Sequence, residues 1–109
     1  MNESLPLEIS PKELVEKIQT GDEPFLLDVR EAFEREIANI GGVHIPLGEL
    51  QGRTDELPKE KEIVVYCRSG VRSAQAAAFL QSEGFEQVFN LGGGTLRYSD
   101  EVDSSLPKY

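Results

Sequence analysis

Residues Ile63-Val64-Val65-Tyr66 form a continuous β-favouring run that leads directly into Cys67 and then into an alanine-rich helical stretch. Unbroken apolar character over four residues suits a strand covered on both faces, so this run is expected to lie at the centre of a sheet. The helix behind it is predicted from about Val71 to Glu83. It carries Ala74, Ala76, Ala77 and Ala78 with Phe79 and Leu80, and Gly84 ends it. Small residues let such a helix lie close to the sheet. A strand feeding a helix in this way restricts the chain to folds built on parallel strands with crossover helices.

The remaining sequence has the same rhythm. Ser10 is an N-cap candidate with Pro11 at the first helical position and Glu13 placed to close a capping box. Leu14, Val15 and Ile18 follow at helical spacing before Gly21. Phe25-Leu26-Leu27 reads as a short buried strand ending in Asp28-Val29-Arg30, Glu31 to Glu36 as a short polar helix, and Val43-His44-Ile45 as a strand stopped by Pro46. Leu47 to Leu50 is a helical turn, Val88-Phe89 a further strand, Gly92-Gly93-Gly94 a turn, and Thr95 to Val102 a last helix. The expectation is an α/β fold, a central, mostly parallel sheet with helices on both faces, over residues 5–109 as one domain, with residues 1–4 disordered. Ligand sites of such sheets lie at the carboxyl ends of the strands, where Cys67 sits.

Backbone N–H groups of a loop that opens a helix converge on an anion held there, and the helix dipole adds to them. A thiolate is such an anion. With Arg68 and Arg72 beside it, Cys67 is expected to have its pKa lowered into the range of about 3.5–7.5 found at activated cysteines. It is the candidate nucleophile. The alternative, a lone cysteine packed as a small apolar residue, leaves the flanking arginines and Gly70 without a role.

The chain of 109 residues has 20 acidic against 11 basic residues, a net charge of −9. That surplus repels nucleic acid and anionic membrane surfaces, so an anionic substrate has to be captured locally. No apolar run approaches the roughly 20 residues of a membrane span, and Met1 to Pro6 lacks the character of a secretory signal, so a cytoplasmic location is expected. One cysteine and one histidine offer neither an internal disulfide nor a zinc cluster, and neither metal nor other cofactor is expected.

Three stretches, Leu26-Leu27-Asp28-Val29-Arg30-Glu31, Val64 to Ser73 and Leu91-Gly92-Gly93-Gly94, resemble the strand end, the cysteine loop and the glycine turn of the single-domain rhodaneses, which are sulfurtransferases. The stretch His44 to Leu50 and the ending Glu101 to Tyr109 are similar to the rhodanese domains that accompany ubiquitin-activating-like adenylyltransferases of molybdopterin and thiamine synthesis. Ala38 to Val43 departs from the usual family stretch, and Tyr98 stands where a tryptophan is common.

The resemblance implies a two-step relay. Cys67 takes the outer sulfur of a donor such as thiosulfate or a persulfide, holds it as a Cys67 persulfide, and yields it to a thiophilic acceptor. The loop of Cys67, Arg68, Ser69, Gly70, Val71 and Arg72 would wrap the sulfur, with Arg68 and Arg72 holding the sulfonate of a donor. Asp28 and Arg30 would form a structural ion pair steadying the loop, and His44 would lie at the surface. A ubiquitin-like sulfur carrier and its adenylyltransferase are the implied partners. Two other readings remain. A cysteine phosphatase needs Cys-x5-Arg, whereas four residues separate Cys67 from Arg72; a non-catalytic module of this fold usually lacks the cysteine.

Overall fold

The computed structural model describes residues 7–109; the expectation for residues 1–4 lies outside them. The elements in order are β1 (Leu7–Ile9), α1 (Pro11–Gln19), β2 (Phe25–Asp28), α2 (Ala32–Ile37), β3 (Val43–His44), two 3-10 turns (Leu47–Gly52 and Thr54–Glu56), β4 (Ile63–Tyr66), α3 (Val71–Ser82), β5 (Val88–Leu91) and α4 (Gly94–Glu101). All strand pairings are parallel, in the order β1-β5-β4-β2-β3. The apolar run at Ile63–Tyr66 is therefore the middle strand, as its composition predicts, and all four of its residues are buried.

Side chains alternate between two cores, as the strand period of two demands. On one face Leu27, Ile63 and Val65 meet Ala76, Ala77 and Leu80 of α3 and Leu50 of the first 3-10 turn. On the other, Leu26, Val64 and Tyr66 meet Leu14 of α1, with Tyr98 of α4 packed against them. Helices thus cover both faces, and among the described residues no helix is long and apolar enough to cross a membrane.

Local signals account for the helix ends. Ser10 Oγ accepts the Glu13 N–H at 3.1 Å, and Glu13 Oε1 accepts the Ser10 N–H at 2.8 Å, so the capping box closes on both sides. At the other end of the chain α4 begins at Gly94, one residue before the expected start. Gly94 lies against the main chain of the Cys67 loop: a Cβ there would collide with the carbonyl groups of Cys67 and Arg68, and its φ of +61° is itself unfavourable for other residues.

These two ends make different demands. Replacing Ser10 with alanine is expected to cost about 1 kcal/mol in urea unfolding and to leave Cys67 reactivity unchanged. Gly94→Ala is expected to cost more than about 1 kcal/mol and to slow Cys67 alkylation as well, because the collision falls on the carbonyl of the reacting residue.

Candidate active site

Cys67 is the first residue beyond β4, and Gly70 opens α3 three residues later. With φ at +99°, Gly70 takes a left-handed conformation that closes the loop tightly. As a result the Gly70 N–H points at Cys67 Sγ at 3.1 Å and the Ser73 N–H at 3.4 Å. Ser73 is the third residue of α3, whose N–H is ordinarily satisfied by the side chain of the N-cap residue. Gly70 has no side chain, so the sulfur takes that place and caps the helix.

The cysteine is buried, with 1% of its surface exposed. Burial pushes the thiol up, but the Ser73 hydroxyl and then the N–H groups of Ser73, Gly70 and Ser69 outweigh it, and the thiol lies below its ordinary value. The direction and the backbone N–H groups agree with the sequence; the leading Ser73 hydroxyl is not among the expected agents. Hydrogen bonds take the place assigned to Arg68 and Arg72, because Arg72 is shared with Glu34: Nη1 donates to Oε1 at 2.7 Å and Nη2 to Oε2 at 2.8 Å. Arg68 holds its guanidinium 4.9 Å from the centre of the Tyr109 ring. Ser69 is exposed on the loop, and Val71 is 66% exposed beside it.

The carbonyl side of the loop is held too. Thr95 and Leu96, in the first turn of α4, donate their N–H groups to the carbonyl oxygens of Cys67 at 2.9 Å and Arg68 at 3.1 Å. Ser73 Oγ lies 3.4 Å from Sγ and also bonds Asn90 Oδ1, while Asn90 Nδ2 donates to the Gly70 carbonyl at 3.1 Å.

Asp28 and Arg30 are wholly buried and form a forked pair, Nε to Oδ1 at 2.9 Å and Nη2 to Oδ2 at 2.9 Å. Arg30 also donates to the carbonyls of Glu34 at 3.3 Å, Ala38 at 2.6 Å and Tyr109 at 2.9 Å. Its connection to the cysteine loop therefore runs through Glu34, which takes Arg72. His44 is not a bare surface residue: it is half-buried and its Nε2 donates to the Arg30 carbonyl at 2.7 Å, which fixes the Nε2–H tautomer.

Glu34, Ser73 and Asn90 were missed from sequence. Ser73 ends the loop stretch and could have been found there. Asn90, a polar residue inside the apolar strand Val88–Leu91, carried a usable signal. Glu34 is one of many acidic residues and carried none.

A family model described as Rhodanese-like domain matches residues 10–101. A putative sulfur carrier protein of Bacillus subtilis, YrkF, is 44% identical over 92% of this chain and 54% of its own length. A putative sulfurtransferase of the same organism, YtwF, is 39% identical over 87% of this chain and 92% of its own. The chain also matches 26% of a probable adenylyltransferase/sulfurtransferase of Mycobacterium tuberculosis, MoeZ, at 31% identity over 93% of this chain. It thus spans only about half, or a quarter, of two of these relatives. Among solved structures, a rhodanese-related protein from Thermoplasma volcanium superposes with a TM-score of 0.80 at 32% identity, covering 88% of this chain and 93% of that one.

The geometry predicts two pH effects. Iodoacetamide should alkylate Cys67 with a pH midpoint below that of a free thiol, about 8.5. A midpoint at or above that value would contradict the hydrogen bonding described. For Glu34, Arg72 holds the carboxyl below its ordinary value despite opposing burial. A lowered carboxyl adds stability that is complete above the unfolded value, about 4.3, and is lost as pH falls through the folded one. Glu34→Gln should therefore lower stability at pH 7 by about 1–3 kcal/mol and flatten the acid limb of the urea stability profile.

Proposed function

The chain belongs to the rhodanese-like family, and from that premise we propose that it is a sulfurtransferase whose sulfur is carried on Cys67. The observation that carries this reading is the sulfur itself, buried at the start of α3 and facing the N–H groups of Gly70 and Ser73. Such a cradle stabilises a thiolate without a neighbouring general base. Relatives named as a sulfurtransferase and a sulfur carrier support it.

In the first step the Cys67 thiolate attacks the outer sulfur of thiosulfate. An S–S bond forms to Sγ, the bond to the sulfonate sulfur breaks, and its electron pair leaves with sulfite; the negative charge stays on the outer sulfur of the Cys67 persulfide. In the second, a thiophilic nucleophile such as cyanide takes that outer sulfur, and the electron pair of the S–S bond returns to Sγ. Donor and acceptor occupy the loop in turn, so the kinetics are ping-pong. A persulfide can replace thiosulfate as donor in the same balance. Arg68, beside the loop and over the Tyr109 ring, is the cation assigned to the sulfonate; Arg72 shares that charge with Glu34.

A lone cysteine cannot resolve its own persulfide, so the sulfur leaves by exchange with another molecule. We assign the activated C-terminus of a ubiquitin-like sulfur carrier as the protein acceptor: the persulfide displaces AMP from the acyl-adenylate made by an adenylyltransferase, and a thiol reductant then cleaves the acyl disulfide, leaving the thiocarboxylate on the carrier and ending as a disulfide. The relatives named as a sulfur carrier and as an adenylyltransferase/sulfurtransferase support this choice.

Incubation with thiosulfate should add about 32 Da, one sulfur bonded at the thiolate. Cys67→Ser should lose both that adduct and thiosulfate:cyanide turnover; turnover retained by this variant would refute the reading. Arg68→Ala should raise KM for thiosulfate several-fold with little change in kcat, and added salt should shrink the difference between variant and native protein. Persulfidated protein mixed with adenylated carrier, its adenylyltransferase and a thiol reductant to cleave the acyl disulfide should yield a carrier heavier by about 16 Da than its free carboxylate, sulfur in place of oxygen.

A further inference from the structure

Asn90 is 2% exposed, in the strand next to β4, and both ends of its amide are used. The Gly70 carbonyl can only accept, so the amide atom 3.1 Å from it is the Nδ2 donor, and Oδ1 is left to face Ser73 Oγ. An acceptor there takes the Ser73 hydroxyl proton. Ser73 has one such proton. While it lies on Asn90, Ser73 turns a lone pair toward Cys67 Sγ at 3.4 Å, which suits an S–H donor and not a thiolate.

Ionising the sulfur reverses that demand. A thiolate has no proton to give, and the Ser73 hydroxyl is the side-chain donor in contact with it. The hydroxyl must then rotate from Oδ1 to Sγ. Once an outer sulfur is attached, the charge moves to that atom, Sγ becomes a neutral divalent sulfur, and the hydroxyl is free to return to Asn90.

We propose that Asn90 is a positioning residue for sulfur transfer: its Nδ2 fixes the Gly70 carbonyl, and its Oδ1 holds the Ser73 proton whenever Sγ is uncharged and releases it when Sγ is a thiolate. This rests on the sulfur-transfer reading of Cys67. The Ser73 hydroxyl is thus a donor with two seats, on Asn90 while Sγ is a neutral thiol and on Sγ once it is a thiolate. The charged groups around the loop do not blur the effect. Guanidinium groups stay protonated throughout this range, and Glu34, paired with Arg72, has its carboxyl held below its ordinary value. Glu31 also faces Arg72, and Asn90 on β5 and Thr95 on α4 are uncharged.

The test is an NMR titration of the native protein with its side-chain carbonyls labelled by carbon-13, read on the bare thiol without any sulfur donor. The Asn90 Cγ resonance should shift with the same midpoint as Cys67 alkylation, because its hydrogen-bond donor departs as the sulfur ionises. In Ser73→Ala the shift should vanish while alkylation still titrates, at a higher midpoint. No Asn90 titration in native protein, or one of equal size in Ser73→Ala, would overturn the proposal. A second arm compares alkylation midpoints. Ser73→Ala should raise the midpoint more in an Asn90→Leu background than in the native one, because the hydroxyl there has no competing seat; equal shifts would count against the proposal. Neither arm uses persulfide formation, so failure here leaves the thiosulfate adduct at Cys67 as an independent test of sulfur transfer.

Discussion

Two helix N-termini close on one residue, and the rest of the structure is arranged around that meeting. The sulfur of Cys67 accepts the N–H of Ser73 that α3 leaves open, and its carbonyl accepts the N–H of Thr95 that α4 leaves open. Each contact satisfies a donor that would otherwise be unpaired in the interior. The residue we assign as the nucleophile is therefore also the one that caps both helices. Its chemistry and its structural role share a cause: unpaired amides with positive dipole ends favour an anion on the sulfur and an oxygen on the carbonyl. Gly70 and Gly94 make this possible, the first by reversing the chain within the loop and the second by letting α4 approach the loop's main chain.

Arg30 supports the same arrangement from the far side. Its guanidinium is wholly buried, opposite a wholly buried carboxylate, and its remaining donors reach three carbonyls. An unpaired buried charge is costly, so each of these contacts is needed. The outcome is that α2 is pinned where Glu34 can take Arg72, and the C-terminal segment is pinned where Tyr109 can lie under Arg68 and edge-on to Phe33. Loop, helix and chain end are one connected unit.

What could be read from sequence follows from the range of each interaction. Ser10 and Glu13 are three residues apart, so their capping box was legible, and the run Ile63–Tyr66 declared both its strand and its central place. Cys67, Gly70 and the start of α3 are contiguous, which is why the place of the cysteine at the start of its helix was legible. β1 escaped because three residues with an exposed Leu7 form too short a pattern; pairing with β5 makes it a strand. Glu34 lies 38 residues from Arg72, and Ser73 lies 17 from Asn90. No periodicity couples such positions. The sequence points to the backbone amides and the arginines, yet the leading hydrogen bond to the sulfur comes from the Ser73 hydroxyl, whose direction only the fold decides.

The parallel pairing of β4 with β5 sets Val65 opposite Asn90, two residues before the cysteine. Neighbouring side chains on a strand point to opposite faces, so a slip of one residue in β5 would bring Phe89 or Leu91 to the loop in place of an amide. Strand registration is thereby written into the reactivity of a single atom. A misregistered molecule would keep its sheet and its secondary structure and yet hold an inert, merely buried thiol. Brief labelling of Cys67 at a pH below the midpoint of a free thiol would thus count the correctly threaded molecules in a population, a measure of folding fidelity that bulk spectroscopy of the backbone does not give.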